Sequence, residues 1–194
     1  MGHFFINNKM LAHYLISPPL LTGLLIMLTL AVINDIKLRK IPNTVVLFGL
    51  VFSLIFQGYA AGSAGALSWL LGVCVGFLCF FPLYLLRGMA AGDVKLMMAV
   101  GGFLGFPVVI TAALYSLVAG GIMAIMYLIY QGKFGHLITT IKLTAFNIFL
   151  KKTTGDSLFQ VNSNETSLGR MPYAQAIAVG SLIAVYLKAS TQFT

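Results

Sequence analysis

The chain has only four acidic residues, and two of them, Asp35 and Asp93, lie at the ends of long apolar segments. Ionisable side chains at membrane depth are costly and usually have a function, so both carboxylates are candidates for a reactive site. Two carboxylates that share a site can divide the roles of general base and general acid between them. The pair therefore predicts acid–base chemistry.

The composition places this chemistry in a lipid bilayer. Apolar residues make up 59% of the sequence and charged residues 8%, whereas a soluble domain has about 25% charged residues. The 194 residues are predicted to form one membrane-embedded domain, 1–194, with room for about six spans. The net charge of +8 does not indicate nucleic-acid binding, because the basic residues flank apolar segments as topology signals do.

Six apolar stretches predict an all-α, polytopic membrane protein. They cover about 20–36, 42–57, 64–86, 93–104, 107–130 and 172–187. The fourth is only about 18 Å long at 1.5 Å per residue, so neighbouring helices must shield it. The uncharged, glycine-rich segment 58–65 is predicted to be an outside turn between the second and third stretches.

The insertion 133–169 between the fifth and sixth stretches is predicted to be cytoplasmic. Residues 133–152 are apolar with regularly spaced basic side chains, which predicts an amphipathic helix on the inner leaflet. Residues 153–169 are polar and predict a loop. Asp156 and Glu165 lie in it and are expected to be solvated charges.

The distribution of basic residues predicts the orientation. With the turn after Asp35 on the cytoplasmic side, ten Lys and Arg residues fall inside, and only Lys9 and Lys188 fall outside. This is a strong positive-inside bias. Both termini are then predicted outside, and Asp35 and Asp93 share the cytoplasmic end of their spans.

The two helix ends predict different surroundings for the two carboxylates. Asp35 lies in the last turn of the first span, where the helix dipole disfavours an anion, although the basic residues that follow it oppose this effect. Asp93 lies in the first turn of the fourth span, where the dipole and Lys95 favour the anion. We therefore expect Asp93 to be the more readily ionised and Asp35 the more readily protonated, within a pair that titrates as a unit.

Cysteine and the N-terminus add two further expectations. Cys74 and Cys79 lie five residues apart within an apolar stretch and have no nearby His. They predict thiols that pack as small hydrophobes rather than a metal site or a disulfide, and no metal or cofactor is expected. The N-terminal residues lack the pattern of a removable signal peptide.

Three segments of the chain resemble the prepilin peptidases, the membrane aspartic proteases of type IV pilus and type II secretion systems. DIKLRKIPN at 35–43 and GMAAGDVKL at 88–96 resemble the two catalytic signatures of that family, the second of which is usually written GxGD. RMPYAQAIAVG at 170–180 resembles the start of the family's final helix. The resemblance covers about residues 20–187.

The resemblance implies an aspartic endopeptidase in the bacterial inner membrane. Its substrate would be a prepilin, with a basic leader and a hydrophobic helix, cleaved at the cytoplasmic face by a water between Asp35 and Asp93. No metal or covalent intermediate is implied. Residues that would bind substrate or shape the site are Gly88, Gly92, Lys95, Pro42, Asn43, Arg170, Pro172 and Tyr173. Arg170 is equally well explained as a topology charge, and Tyr173 as an aromatic at the membrane interface.

The sequence departs from the family pattern at two positions and lacks one of its modules. Ala90 replaces the first Gly of GxGD, which restricts the backbone modestly. Gln175 replaces a second Pro expected after PYA. The paired CxxC motifs of larger members are absent, so the chain resembles the small, peptidase-only type of tight-adherence (Flp) pilus systems, with no zinc-binding or methyltransferase domain expected.

Other functions remain open at this point. The aspartates could be ion or proton carriers of a transporter, although carriers more often place such groups near the bilayer midplane. The chain could also be a non-catalytic membrane component of pilus assembly, which would not need both aspartates. Either aspartate alone could be an interfacial charge paired with a Lys or Arg. The partners expected are prepilins and the lipid bilayer, and an oligomer is possible.

Overall fold

The computed structural model describes residues 18–86, 88–130 and 173–192, and these residues form five helices and no strand. The helices are α1 (Pro18–Leu38), α2 (Asn43–Leu85), α3 (Ala91–Leu104), α4 (Val108–Tyr130) and α5 (Ala174–Gln192). The predicted all-α class is therefore confirmed for the described residues.

Three of the helices, α1, α2 and α4, are long and apolar enough to cross a membrane, in agreement with a membrane protein. The predicted division into six spans is not confirmed. The predicted amphipathic helix at 133–152 and the loop at 153–169 lie outside the described residues.

The chain divides into two compact units, Met1–Gly120 with Pro172–Thr194, and Gly121–Met171. In the second unit the described residues are 121–130, which complete α4. Both aspartates and α5 belong to the first unit. The contacts below lie within that unit.

Helix α2 is too long for a single straight crossing and reverses direction at one glycine. Its 43 residues would extend about 64 Å as one straight helix. Gly62 has a φ of 60° and a ψ of −137°, outside the helical region and open to glycine. The Trp69 Nε1–H donates to Ser53 Oγ at 2.9 Å, although 16 residues of straight helix would separate them by about 24 Å. The two halves of α2 therefore pack against each other.

The chain reverses within 58–65, where the sequence predicted a turn, but the turn is confined to Gly62. Apart from Gly62, those residues are helical. A helix satisfies the backbone N–H and C=O groups internally, which apolar surroundings strongly favour. One glycine with a positive φ is sufficient to turn the chain.

The short helix α3 lies at the centre of the core. Neighbouring helices shield it, as its short length predicted. Leu96, Met97 and Val100 are fully buried. A Cβ on Gly72 would lie 2.1 Å from the Gly101 carbonyl oxygen, so the second half of α2 and α3 touch through their backbones. Small residues allow this close approach between helices in lipid.

The carboxyl end of α3 is capped by a side chain from α2. The buried Gln57 side-chain amide donates to the Gly102 carbonyl, and to the Phe103 carbonyl at 3.4 Å. The last four carbonyls of a helix have no intrahelical partner. Gln57 therefore satisfies two acceptors that would otherwise be costly to bury.

Candidate active site

Asp35 joins the end of α1 to the beginning of α5. It lies in the last turn of α1, as the sequence predicts, and its side chain is only 6% exposed. The Ala174 N–H donates to Asp35 Oδ2 at 2.9 Å. Ala174 is the first residue of α5, where backbone N–H groups lack an intrahelical acceptor. The carboxylate thus satisfies that donor and faces the positive end of the α5 dipole.

Asp93 caps the beginning of its own helix. It is the third residue of α3 and is 5% exposed. The Ala90 N–H donates to Asp93 Oδ2 at 3.2 Å, and the Asp93 N–H donates to the Ala90 carbonyl at 3.1 Å. A carboxylate in the first turn that reaches back to the N-cap N–H is one half of a capping box. The local sequence therefore fixes the carboxylate at the helix start.

The structure shows why Ala90 is compatible with this turn. Ala90 has a φ of −82° and a ψ of 150°, which is extended backbone available to any L residue. The conformational freedom of glycine is not needed at this position. The departure from GxGD therefore leaves the geometry that presents Asp93 intact.

The two carboxylates lie on helices that contact each other and a common third helix. Helices α1, α3 and α5 contact one another. Asp35 accepts the Ala174 N–H at the start of α5, and burial, together with the Asp93 charge, raises the pKa of the neighbouring Tyr173 phenol to about 12. The two buried carboxylates are therefore placed at the ends of helices that pack together.

This arrangement bears on the predicted difference between the aspartates. That prediction considered only the helix on which each aspartate lies and the basic residues near it in the sequence. The structure adds the amino end of α5 beside Asp35, so each carboxylate accepts a backbone N–H from the start of a helix. The predicted asymmetry did not include this contact with α5. Which aspartate holds the proton stays a prediction.

Four of the predicted site-shaping residues come together where the turn after α1 meets α3. The Lys95 ammonium donates to Asn43 Oδ1 at 3.1 Å, and both side chains are exposed. Pro42 is the N-cap residue of α2, immediately before Asn43. A Cβ on Gly92 would lie 3.5 Å from the Ile41 side chain, an ordinary contact. These contacts hold the turn that follows Asp35 against the first turns of the helix that carries Asp93.

The other predicted residues are placed differently. Gly88 is exposed, and its N–H donates to the Leu83 carbonyl at 2.9 Å, so it completes the end of α2. Arg170 and Pro172 lie outside the described residues. Cys74 and Cys79 are free thiols. Among residues 18–86, 88–130 and 173–192, no group of three His, Cys, Asp or Glu residues could hold a metal ion.

Tyr173 packs between helices. Its hydroxyl donates to the Ser116 carbonyl at 3.2 Å, and its ring meets Phe80 edge-on with the centroids 6.2 Å apart. A Cβ on Gly120 would lie 2.1 Å from the Tyr173 hydroxyl oxygen. The ring is thus inserted against α2 and α4, which favours an inward-packing role over that of an interfacial aromatic.

Several residues around the site were not predicted from the sequence. Ala174 contributes its backbone N–H, and no side-chain pattern identifies such a donor. Phe80, Ser116 and Gly120 form the surroundings of Tyr173. The paired glycines at 120 and 121 were a usable signal, because glycine in a membrane helix often marks a close approach.

Comparison with known proteins gives one match. A family model described as the type IV leader peptidase family matches residues 22–125. The match covers more than half of the 194 residues and includes both Asp35 and Asp93. No curated protein and no solved structure matches the chain.

Proposed function

Because the chain belongs to the type IV leader peptidase family, we propose that it is a membrane aspartic endopeptidase that removes the leader peptide from prepilins. Asp35 and Asp93 are the catalytic pair in this proposal. The observation that carries it is the burial of both carboxylates at the ends of α1 and α3, two helices that contact each other and α5. The family match, which includes both aspartates, supports the same assignment.

The proposed reaction uses one water and one shared proton. The ionised aspartate accepts a proton from the water while the water oxygen attacks the scissile carbonyl carbon, and the protonated aspartate donates to the carbonyl oxygen. When the tetrahedral intermediate collapses, the C–N bond breaks and the leaving amine receives a proton from the pair. The carboxyl product and the amine product leave with the atoms of one added water.

Burial of both carboxylates supports this chemistry. A carboxylate removed from bulk water interacts more strongly with a second carboxyl group, so one proton is more readily shared between them. Each aspartate is also held by a backbone N–H, which fixes its orientation before substrate binds. The two carboxylates are therefore held at helix ends and not on loops.

The substrate and location form the finer part of the proposal. A prepilin would place its hydrophobic helix in the bilayer and its leader junction at the cytoplasmic face, where the charge distribution predicts both aspartates to lie. The substrate that we propose is a small prepilin of the tight-adherence (Flp) type. The membrane is then the bacterial inner membrane.

The decisive experiment is co-expression with a small Flp-type prepilin, followed by the mass of the pilin. Asp35→Asn and Asp93→Asn, made separately, should each abolish removal of the leader while the protein still inserts in the membrane. Asp156→Asn is the matched control, because it makes the same chemical change at an acidic residue predicted to be solvated. Leader removal that persists in either of the first two variants contradicts the catalytic pair.

A further inference from the structure

The Tyr173 side chain occupies a slot formed by Phe80, Ser116 and Gly120. A side chain larger than glycine at position 120 would not fit beside it. Phe80 of α2 meets its ring edge-on, and the Ser116 carbonyl of α4 accepts its hydroxyl hydrogen. Gly120 closes the slot, since a Cβ there would lie 2.1 to 2.3 Å from three atoms of the Tyr173 side chain. The position of the ring is therefore determined by two other helices.

The residue that follows Tyr173 holds Asp35. The Ala174 N–H donates to Asp35 Oδ2 at 2.9 Å, and this bond joins residues 139 positions apart in the sequence. A single peptide unit links Tyr173 to that donor, so a displacement of the ring displaces the N–H. An N–H···O bond weakens when its length or angle departs from the optimum. The slot thus sets the orientation of a carboxylate that it does not touch.

We propose that Tyr173 is a positioning residue, anchored by Phe80, Ser116 and Gly120, which fixes the Ala174 N–H that orients the Asp35 carboxylate. Tyr173 itself need not contact the substrate. The consequence for cleavage rests on the proposed function, whereas the consequence for the Ala174 hydrogen bond does not. A change at Gly120, on a different helix from either aspartate, should therefore disturb the catalytic pair.

The adjacent glycines 120 and 121 provide a matched test. Gly120→Ala forces a methyl group into the Tyr173 side chain, whereas a Cβ on Gly121 would have no heavy atom of the described chain within 4 Å. Both variants make the same change in helix propensity. Each is purified in detergent, and kcat and KM are measured for a prepilin, together with hydrogen exchange of the Ala174 amide.

We expect Gly120→Ala to lower kcat by about 10- to 100-fold with an unchanged KM, the scale of a displacement of about 1 Å within a catalytic site. Exchange of the Ala174 amide should accelerate at least about tenfold, because this N–H has no intrahelical acceptor to protect it. Gly121→Ala should match the wild type in all three quantities. Equal exchange in the two variants overturns the inference.

The same design separates the inference from the proposed function. If the wild type does not cleave prepilins, the proposed function fails, and the exchange comparison still decides the role of Tyr173. If cleavage depends on Asp35 but Gly120→Ala behaves like Gly121→Ala, the function stands and the positioning role is wrong.

A second pair of variants covers the case in which Gly120→Ala does not fold. Tyr173→Ala removes the ring that the new methyl group would strike, so adding Gly120→Ala to it should change Ala174 exchange less than about twofold. Contacting residues show such non-additivity, whereas independent sites do not. Ala174 exchange that accelerates more than about twofold when Gly120→Ala is added to Tyr173→Ala contradicts the proposal.

Discussion

Different chemical groups satisfy the two ends of α3. At the amino end, the Asp93 carboxylate accepts the Ala90 N–H. At the carboxyl end, the Gln57 side-chain amide donates to the Gly102 and Phe103 carbonyls. Both groups satisfy backbone atoms that a helix leaves without partners.

The difference between the two ends is the ability to exchange a proton. The Gln57 amide has no titratable form near neutral pH, so its contribution is to the stability of the helix end. A carboxyl group can accept or donate a proton, and a second buried carboxylate, Asp35, lies in the last turn of α1, a helix that contacts α3. A neutral amide would have sufficed for structure alone, so the choice of a carboxylate at the amino end favours a chemical role.

Asp93→Asn tests this contrast most strongly, because it places an amide at the amino end as well. Cleavage of a prepilin in membrane vesicles should fall at least about 100-fold, the lower range for loss of a general acid or base. The loss of stability should be only about 0.3–1 kcal/mol, the usual value of a charge at a helix end. Thermal unfolding in detergent measures the second quantity. Large losses of both activity and stability would mean that Asp93 is a structural cap like Gln57.

Gly72→Ala tests whether both ends of α3 depend on the close packing of α3 against α2. A Cβ at this position would lie 2.1 Å from the Gly101 carbonyl oxygen, so α2 and α3 must separate. We expect a loss of about 1–3 kcal/mol, typical of overpacking, measured by thermal unfolding in detergent. Gly58→Ala is the control, since a Cβ there has no heavy atom of the described chain within 4 Å. An equal stability for the two variants would show that the close backbone contact is not needed.

Gln57→Leu should show the opposite pattern to Asp93→Asn, namely a loss of stability with little loss of activity. It leaves the Gly102 and Phe103 carbonyls without the amide donor, which costs about 1–3 kcal/mol for a buried unsatisfied group. The cost should lie near the lower limit, because interhelical hydrogen bonds in membranes contribute about 0.6 kcal/mol on average. Thermal unfolding in detergent should show this loss, while kcat for prepilin cleavage stays within about threefold of the wild type. A kcat that falls as far as in Asp93→Asn would remove the distinction between the two ends.

The comparison also shows which parts of the molecule could be predicted from the sequence. Asp35 and Asp93 were correctly placed at helix ends, because Pro42 and the lengths of the apolar stretches mark those boundaries. The shielding of α3 followed from its length alone. The capping role of Gln57 was not predicted, although a lone amide in an apolar segment was a usable signal.

Other features depend on contacts that no local pattern contains. The Ala174 N–H reaches Asp35 across 139 positions, and a backbone donor is independent of residue type. The segment 58–65 was predicted to be a turn from its glycines, yet only Gly62 leaves the helical conformation. The glycine pattern located the reversal but not its extent, because the residues on either side of Gly62 keep the helical conformation.

Asn43→Ala should have the smallest effect of these variants. It tests only the surroundings of the amino end of α3. It removes the acceptor of the Lys95 ammonium, an exposed contact that ties the turn after Asp35 to α3. Because the bond is exposed, its loss should cost about 0.5 kcal/mol or less. The same bond joins the turn after Asp35 to the helix that carries Asp93, so kcat should fall about two- to fivefold, consistent with a slight misalignment. Thr44→Ala, at the neighbouring exposed position, is the control and should change neither quantity. A kcat for Asn43→Ala equal to that of Thr44→Ala would show that the turn is already fixed by the packing of Ile41 beside Gly92, and that the Lys95 contact does not align the carboxylates.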